Sequence, residues 1–139
     1  MARAFALLLP AAAIELPPAC AKQASFEGTA MPLTELRQQV EKVGESDPMT
    51  AVRILCSTLP RAEREYGSDS LEFAWWVQTL ATPLIAYMDE FAEAIPLLEA
   101  ALAEARTLGV PELETAARLQ LPLATRAAGR PAAAYDHQQ

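Results

Sequence analysis

The stretch that decides the fold runs from Asp89 to Arg106 and reads DEFAEAIPLLEAALAEAR. Its apolar residues, among them Leu98, recur at the spacing of one face of an α-helix, and glutamates supply the polar positions. Ala94 and Ala101 lie seven positions apart on the apolar face. Because such small side chains let a neighbouring helix approach closely, the stretch predicts a helix packed between other helices.

Composition extends this prediction to the whole chain. The sequence has 139 residues, of which 52% are hydrophobic and only 5 are glycine. That length suits one domain with its own core, and an alanine- and leucine-rich chain with few glycines favours helices over sheet. The formal net charge is −7, and no Lys/Arg cluster stands out. A nucleic-acid partner is therefore not expected, since a phosphate backbone needs a basic face.

Four further helices are predicted from apolar spacing and capping residues. Asp47 is expected to cap one of them at its N-terminus, and Gly67 to end it. Asp89 is expected to cap the helix quoted above, and Gly109 to end it. The predicted helices cover about 32–43, 48–66, 71–85, 90–108 and 111–128, and a sixth begins at Ala132.

The predicted helices form an internal repeat. The segment around Ala94 aligns with the segment around Ala51 at a step of 43 residues, and Gly109 follows Gly67 by 42. The segment around Ala134 aligns with that around Ala94 at a step of 40. Each repeat is therefore a helix pair of about forty residues, present about two and a half times.

The segment from Phe91 to Leu98, together with Ala101, resembles helix B of the tetratricopeptide repeat (TPR) family. It is most similar to the kinesin light chain type, whose repeats span about 42 residues. The resemblance covers the chain from Pro32 to its end. It implies an all-α solenoid of antiparallel helix pairs, and a non-repeat helical bundle is the alternative. The packing positions implied are Ala51, Phe91, Ala94, Leu98 and Ala101.

Residues 1–21 are predicted to be a secretory signal peptide. Arg3 gives a positive start, and the apolar run that follows is too short to span a bilayer. Cleavage after Ala21 is the preferred boundary, which places the protein in the periplasm or outside the cell. A mature N-terminal helix or a misassigned start codon, with a cytoplasmic protein, is the alternative. Residues 22–31 are then a flexible lead-in, and residues 32–139 form the repeat domain.

The two cysteines are predicted not to form a disulfide, because Cys20 and Cys56 lie in different parts of the chain and cleavage after Ala21 would remove Cys20. Cys56 falls in an apolar helical pattern and is expected to be a small buried side chain. A lipid on Cys20, as in bacterial lipoproteins, is an alternative that Ala19 supports. Leu16 is displaced by one position from the lipoprotein pattern. Membrane association is expected only through such a signal or lipid anchor.

No catalytic residue, metal site or cofactor is predicted. The sole histidine, His137, lies in a polar tail, and Glu63 and Glu65 point to different faces of a helix. The sequence also lacks zinc-ligand spacing, a phosphate-binding loop and a nucleophile elbow. An enzyme is therefore not expected.

The TPR resemblance implies that a partner protein or peptide binds in a concave groove lined by the first helix of each repeat. Neighbouring residues on a helix point about 100° apart, so one of Trp75 and Trp76 is expected in the core and the other in the groove or against a partner. The alternative is that both tryptophans pack between repeats. The groove lacks the basic set that clamps a carboxylate, which predicts apolar or weakly basic partner segments. The groove positions implied are Leu33, Leu36, Val40, Trp76, Thr79, Pro83, Ala86, Tyr87, Ala116, Leu119, Leu123 and Arg126.

Self-association is a second functional hypothesis. The sequence ends shortly after the sixth helix begins, so Leu119, Leu121 and Leu123 of the fifth helix are expected to lack a cover. Uncovered leucines invite a homo-oligomer, or they mark a fragment of a longer repeat array.

Overall fold

The computed structural model describes residues 14–23 and 30–129, which contain six α-helices and no strand. The predicted all-α fold is confirmed. The first part of the predicted signal, most of the lead-in, the predicted sixth helix and His137 lie outside the described residues. The helices are α1 (Pro18–Ala21), α2 (Leu33–Val43), α3 (Pro48–Tyr66), α4 (Leu71–Ala86), α5 (Phe91–Leu108) and α6 (Pro111–Gly129).

The ends of α3 follow the predicted caps. Asp47 accepts a hydrogen bond from the Thr50 main-chain N–H at 3.2 Å and another from the Thr50 hydroxyl at 2.6 Å. The hydroxyl bond, followed by the main-chain bond, lowers the pKa of the Asp47 carboxyl below its ordinary value. Gly67 ends the helix with a φ of 89°, a conformation that glycine adopts without strain.

The start of α5 differs from the prediction. Asp89 does not cap this helix; it adopts a φ of 55°, in the left-handed region, and Glu90 takes the N-cap position. The turn before α5 is closed by main-chain bonds instead, because the Glu90 N–H donates to the Leu84 carbonyl at 2.8 Å. The other end of α5 is as predicted, with Gly109 in the left-handed conformation.

Consecutive helices pack against one another from α2 to α6, and α4 also contacts α6. Helix α5 therefore lies against both α4 and α6, as its small residues predict. Ala94, Leu98 and Ala101 are completely buried on this helix. Phe91 is half-buried against the core, and Ala51 of α3 belongs to the core.

The N-terminal segment is fastened to the helices at several points. Cys20 of α1 forms a disulfide with Cys56 of α3, so the prediction of no disulfide is wrong. The Ala19 main-chain N–H donates to Glu93, and the Ile14 N–H donates to Glu63. Sequence spacing did not reveal the Cys20–Cys56 pair, because the two cysteines lie 36 residues apart and meet only where α1 packs back onto α3.

The disulfide bears on how the chain is processed. A lipid on the Cys20 sulfur and a bond from that sulfur to Cys56 exclude each other, and cleavage after Ala21 would remove Cys20. Cleavage and lipidation stay predictions, each incompatible with this bond.

Within the described residues, no helix combines the length and the apolar character needed to cross a bilayer.

Candidate binding groove

A cavity of about 580 Å³ opens between α2, α4 and α6, with the first turns of α3 at one side. We call it the α2–α4–α6 groove. Its lining consists of Val40, Glu41, Gly44, Glu45, Pro48, Ala51, Leu55, Trp75, Gln78, Thr79, Thr82, Pro83, Tyr87, Ala116 and Gln120.

The two tryptophans divide between core and groove, but in the order opposite to the residue chosen from the sequence. Trp76 is 0% exposed, and its indole N–H donates to the Thr58 hydroxyl at 2.9 Å. Trp75 is half-buried and lines the groove. Its ring meets that of Trp76 edge to face, with centroids 5.1 Å apart. The placement of Trp76 in the groove is therefore wrong, and Trp75 takes its place.

Three of the other groove positions predicted on α4 line the groove, whereas Ala86 is exposed and does not. Thr79, Pro83 and Tyr87 all line the groove. Tyr87 is 61% exposed at the end of α4, so its ring is open to contact. From α2, Val40 also lines the groove, whereas Leu33 and Leu36 are buried in the core and do not.

Of the positions predicted on α6, Ala116 lines the groove, whereas the other three lie outside its lining. Leu119 is 67% exposed and Leu123 is 56% exposed, and Arg126 is also exposed. Helix α6 turns Ala117 and Ala124 into the core and presents Ala116 and Gln120 to the groove. Leu119, Leu123 and Arg126 are therefore displaced around the helix, and the prediction that they line the groove is wrong.

A chain of polar side chains joins α4 to α6 in the groove. Gln78 Nε2 donates to Gln120 Oε1 at 3.1 Å, and Gln120 Nε2 donates to the Thr82 hydroxyl at 3.3 Å. The Thr82 hydroxyl in turn donates to the Gln78 main-chain carbonyl at 3.3 Å. Gln78 is 9% exposed, and its Oε1 is buried without a hydrogen-bond partner among the described residues.

Sequence reasoning missed these two glutamines. They lie 42 residues apart, which is the step of the internal repeat, so their pairing could have been sought from that spacing. Trp75 could also have been found. Trp76 stands in helical register with Leu80 and Leu84, both buried, whereas Trp75 is in register with Thr79 and Thr82.

The charged side chains that line the groove, within the described residues, are Glu41 and Glu45. Arg37 pairs with Glu41 at 3.4 Å, and its guanidinium carbon lies 4.4 Å from the centre of a Trp75 ring. That stacking is a cation–π contact. Glu45 forms no ion pair in the described part of the chain. The rim of the groove near the end of α2 therefore carries an unneutralised negative charge.

A second, smaller cavity of about 430 Å³ lies between the start of α4 and the middle of α5. Asp69 and Glu104 contribute its acidic side chains, and Phe73 and Ala101 are among its apolar ones. Burial and, to a lesser extent, the Asp69 charge raise the pKa of Glu104 above its ordinary value. Among residues 14–23 and 30–129, no group of His, Cys, Asp and Glu side chains is arranged to hold a metal ion.

Comparison with protein-family models, curated proteins and solved structures finds no match to this chain. The TPR resemblance therefore rests on the residues of this chain alone.

Proposed function

We propose that this chain is a non-enzymatic protein-interaction scaffold that binds a segment of a partner protein in the α2–α4–α6 groove. The observation that carries the proposal is a continuous groove lined by alternate helices, with the aromatic side chains of Trp75 and Tyr87 in its wall. Aromatic residues in such a groove supply large contact areas and commonly dominate binding energy.

We further propose that the helices form a TPR-like array, with α2, α4 and α6 as the first helices of successive repeats. Two observations support this arrangement. From α2 to α6 each helix packs on the next, and α4 also contacts α6. Gln78 and Gln120, separated by 42 residues, meet across that contact. In an array of repeats, equivalent positions of neighbouring units lie side by side, and the first helices line one face.

Blocking the groove tests the binding function. Thr79→Arg places a long charged side chain in the groove lining, whereas Ala92→Arg makes the same change on the exposed face of α5. Short peptides are selected from a random display library on the oxidised chain, and their affinity for both variants is measured by fluorescence anisotropy. We expect Thr79→Arg to weaken binding at least about tenfold and Ala92→Arg to leave it unchanged. Equal binding by all three proteins would contradict the proposal.

Self-association is the second candidate function, and the exposure of Leu119 and Leu123 favours it. These leucines lie one turn apart on α6, at 67% and 56% exposure. Neighbouring exposed leucines favour contact with a second apolar surface. Light scattering should then show an oligomer that Leu119→Glu with Leu123→Glu converts to a monomer. A monomeric wild-type protein at high concentration would rule this function out.

We propose that the protein works in the periplasm or outside the cell. The Cys20–Cys56 disulfide supports this location, because disulfides persist in oxidising compartments. Mass spectrometry of the protein isolated from its native cell tests the proposal. A disulfide-linked chain from an extracytoplasmic fraction is the expected result, and a reduced cytoplasmic chain would contradict it. A fragment beginning at Lys22 or a lipid on Cys20 would identify the processing predicted from the sequence.

A further inference from the structure

We propose that the occupant of the α2–α4–α6 groove is an extended peptide segment whose main chain pairs with the side-chain amide of Gln78. The same segment carries a lysine or arginine that meets Glu45. This inference rests on the proposed binding function and specifies the chemistry of the partner.

The unpaired oxygen of Gln78 points to a missing donor. Gln78 is 9% exposed and lines the groove, and its Oε1 is buried without a hydrogen-bond partner among the described residues. Leaving a buried acceptor unpaired is costly, so such atoms call for an explanation such as a ligand. The Nε2 of the same amide is already engaged, at 3.1 Å from Gln120. The group that Oε1 lacks is therefore an N–H or O–H donor.

An extended peptide offers that donor in the right form. In an extended residue the N–H and the C=O point to the same side, so one residue can donate to Oε1 and accept from Nε2 of a single side-chain amide. A bound helix has its main-chain N–H groups engaged internally, apart from those of its first turn. An acceptor in the groove wall therefore favours an extended segment over a helix.

In the free protein Gln120 pairs with one of the two polar atoms of the Gln78 side-chain amide, the Nε2. Its own amide accepts from Gln78 and donates to Thr82, and the bond to Thr82 is the exposed one. Turning the Gln120 side chain outward would free Gln78 Nε2 and uncover the amide. A peptide residue would then satisfy both polar atoms of Gln78, where Gln120 satisfies only one. Gln120 is thus a competitor that the peptide displaces.

The charge at the rim selects the side chain of the peptide. Arg37 is paired with Glu41 and stacked on Trp75, so it does not neutralise Glu45. The groove lining contains no lysine or arginine among the described residues. A basic side chain of the partner would therefore find a free carboxylate at Glu45, and an acidic one would be repelled.

The probe is a set of short random peptides selected on the oxidised chain and kept only where Thr79→Arg blocks their binding. Each is resynthesised with one main-chain N–H at a time replaced by an N-methyl group. We expect one position at which methylation weakens binding about tenfold, close to the value of one hydrogen bond. We expect this methylation to have no further effect on binding to Gln78→Met.

Gln78→Met and Gln120→Ala are a matched pair, because both remove the same hydrogen bond between α4 and α6. Gln78→Met should weaken peptide binding about tenfold, the cost of losing one or two hydrogen bonds. Gln120→Ala should bind at least as tightly as the wild type, because the competing amide is gone. If Gln78 only held the two helices together, both variants would weaken binding.

The selected peptides should be enriched in lysine and arginine. Glu45→Gln should remove that preference. Glu35→Gln, at an exposed position of α2, is the control and should keep the preference. Failure to select any peptide that Thr79→Arg blocks would overturn the proposed function itself. Three results would overturn this inference and leave groove binding standing, each for peptides that Thr79→Arg blocks. The first is that no N-methyl position weakens binding, and the second is that the peptides are not enriched in basic residues. The third is that both glutamine variants change the affinity in the same direction.

Discussion

The indole N–H of Trp76 donates to the hydroxyl oxygen of Thr58 at 2.9 Å, and both side chains are fully buried. The Thr58 hydroxyl in turn donates a hydrogen bond to the Ile54 main-chain carbonyl at 2.7 Å. One hydroxyl therefore satisfies a buried donor of α4 while it is anchored to α3. This contact holds Trp76 in the core and leaves the adjacent Trp75 to line the groove.

Removing the Thr58 hydroxyl should destabilise the protein. Thr58→Val keeps the shape of the side chain but leaves the Trp76 N–H buried without an acceptor, which costs about 1–3 kcal/mol. Thr58→Ser keeps the hydroxyl and serves as the control, with a smaller loss from the missing methyl group. The free energy of unfolding is measured by urea titration of tryptophan fluorescence. Equal losses in the two variants would show that the hydrogen bond contributes little.

Helix positions could be read from the sequence because they depend on local signals. Asp47 and Gly67 act within one turn of the helix they delimit, and both took their predicted roles. Asp89 failed because main-chain bonds across the turn, such as that from Glu90 to Leu84, fix its conformation. The contacts of a side chain in a turn depend on the neighbouring helix, which capping statistics do not include.

The candidate site was only partly readable from the sequence. The predicted groove positions Thr79, Pro83 and Tyr87 of α4 do line the groove. The predicted positions Leu119 and Leu123 of α6 do not. Their placement depends on how α6 is rotated against α4, which is set by the buried Ala117 and Ala124. The TPR resemblance implies groove positions from their place in the repeat, whereas in the structure the small side chains of Ala117 and Ala124 form the buried contact of α6. Rotation about a helix axis is a tertiary property, and periodicity alone does not determine it.

The Cys20–Cys56 disulfide should contribute strongly to stability. It joins residues 36 apart and holds α1 against α3, so its loss enlarges the conformational freedom of the unfolded chain. We expect reduction, or Cys20→Ser with Cys56→Ser, to lower the free energy of unfolding by about 3–4 kcal/mol. Denaturant titrations with and without reductant measure the difference.

The double serine variant is also the control for that experiment, because reductant should not change its stability. Thiol counting by mass spectrometry should find no free thiol in the oxidised wild-type protein. A wild-type protein whose unfolding curve is the same with and without reductant would contradict the prediction.

Overpacking of α5 should show how closely its neighbours approach. Ala94 is completely buried on the helix that packs against α4 and α6, whereas Ala92 is exposed on the same helix. Ala94→Leu should cost about 1–3 kcal/mol, because the added atoms force the neighbouring side chains apart. Ala92→Leu makes the same change in solvent and should leave stability nearly unchanged. Thermal and urea unfolding measure both variants, and equal stability would mean that the contact at Ala94 is loose.

The pH dependence of stability should carry a signature of Glu104. Its Oε1 is buried without a partner among the described residues, and burial, with the Asp69 charge as a second cause, raises the pKa of this carboxyl in the folded protein above 4.5. Between 4.5 and that higher pKa the folded state keeps a proton that the unfolded state releases. The contribution of Glu104 to stability is therefore fully present below this window and is lost as the pH rises through it.

Glu104→Gln should remove that loss, because a neutral amide has nothing to ionise. The variant and the wild type should differ least in acid, and the variant should gain stability relative to the wild type as the pH rises to 7. Taking the difference between the two proteins at each pH cancels the titration of the other carboxyls. A difference that stays flat over this range would mean that the folded protein does not raise the pKa of Glu104.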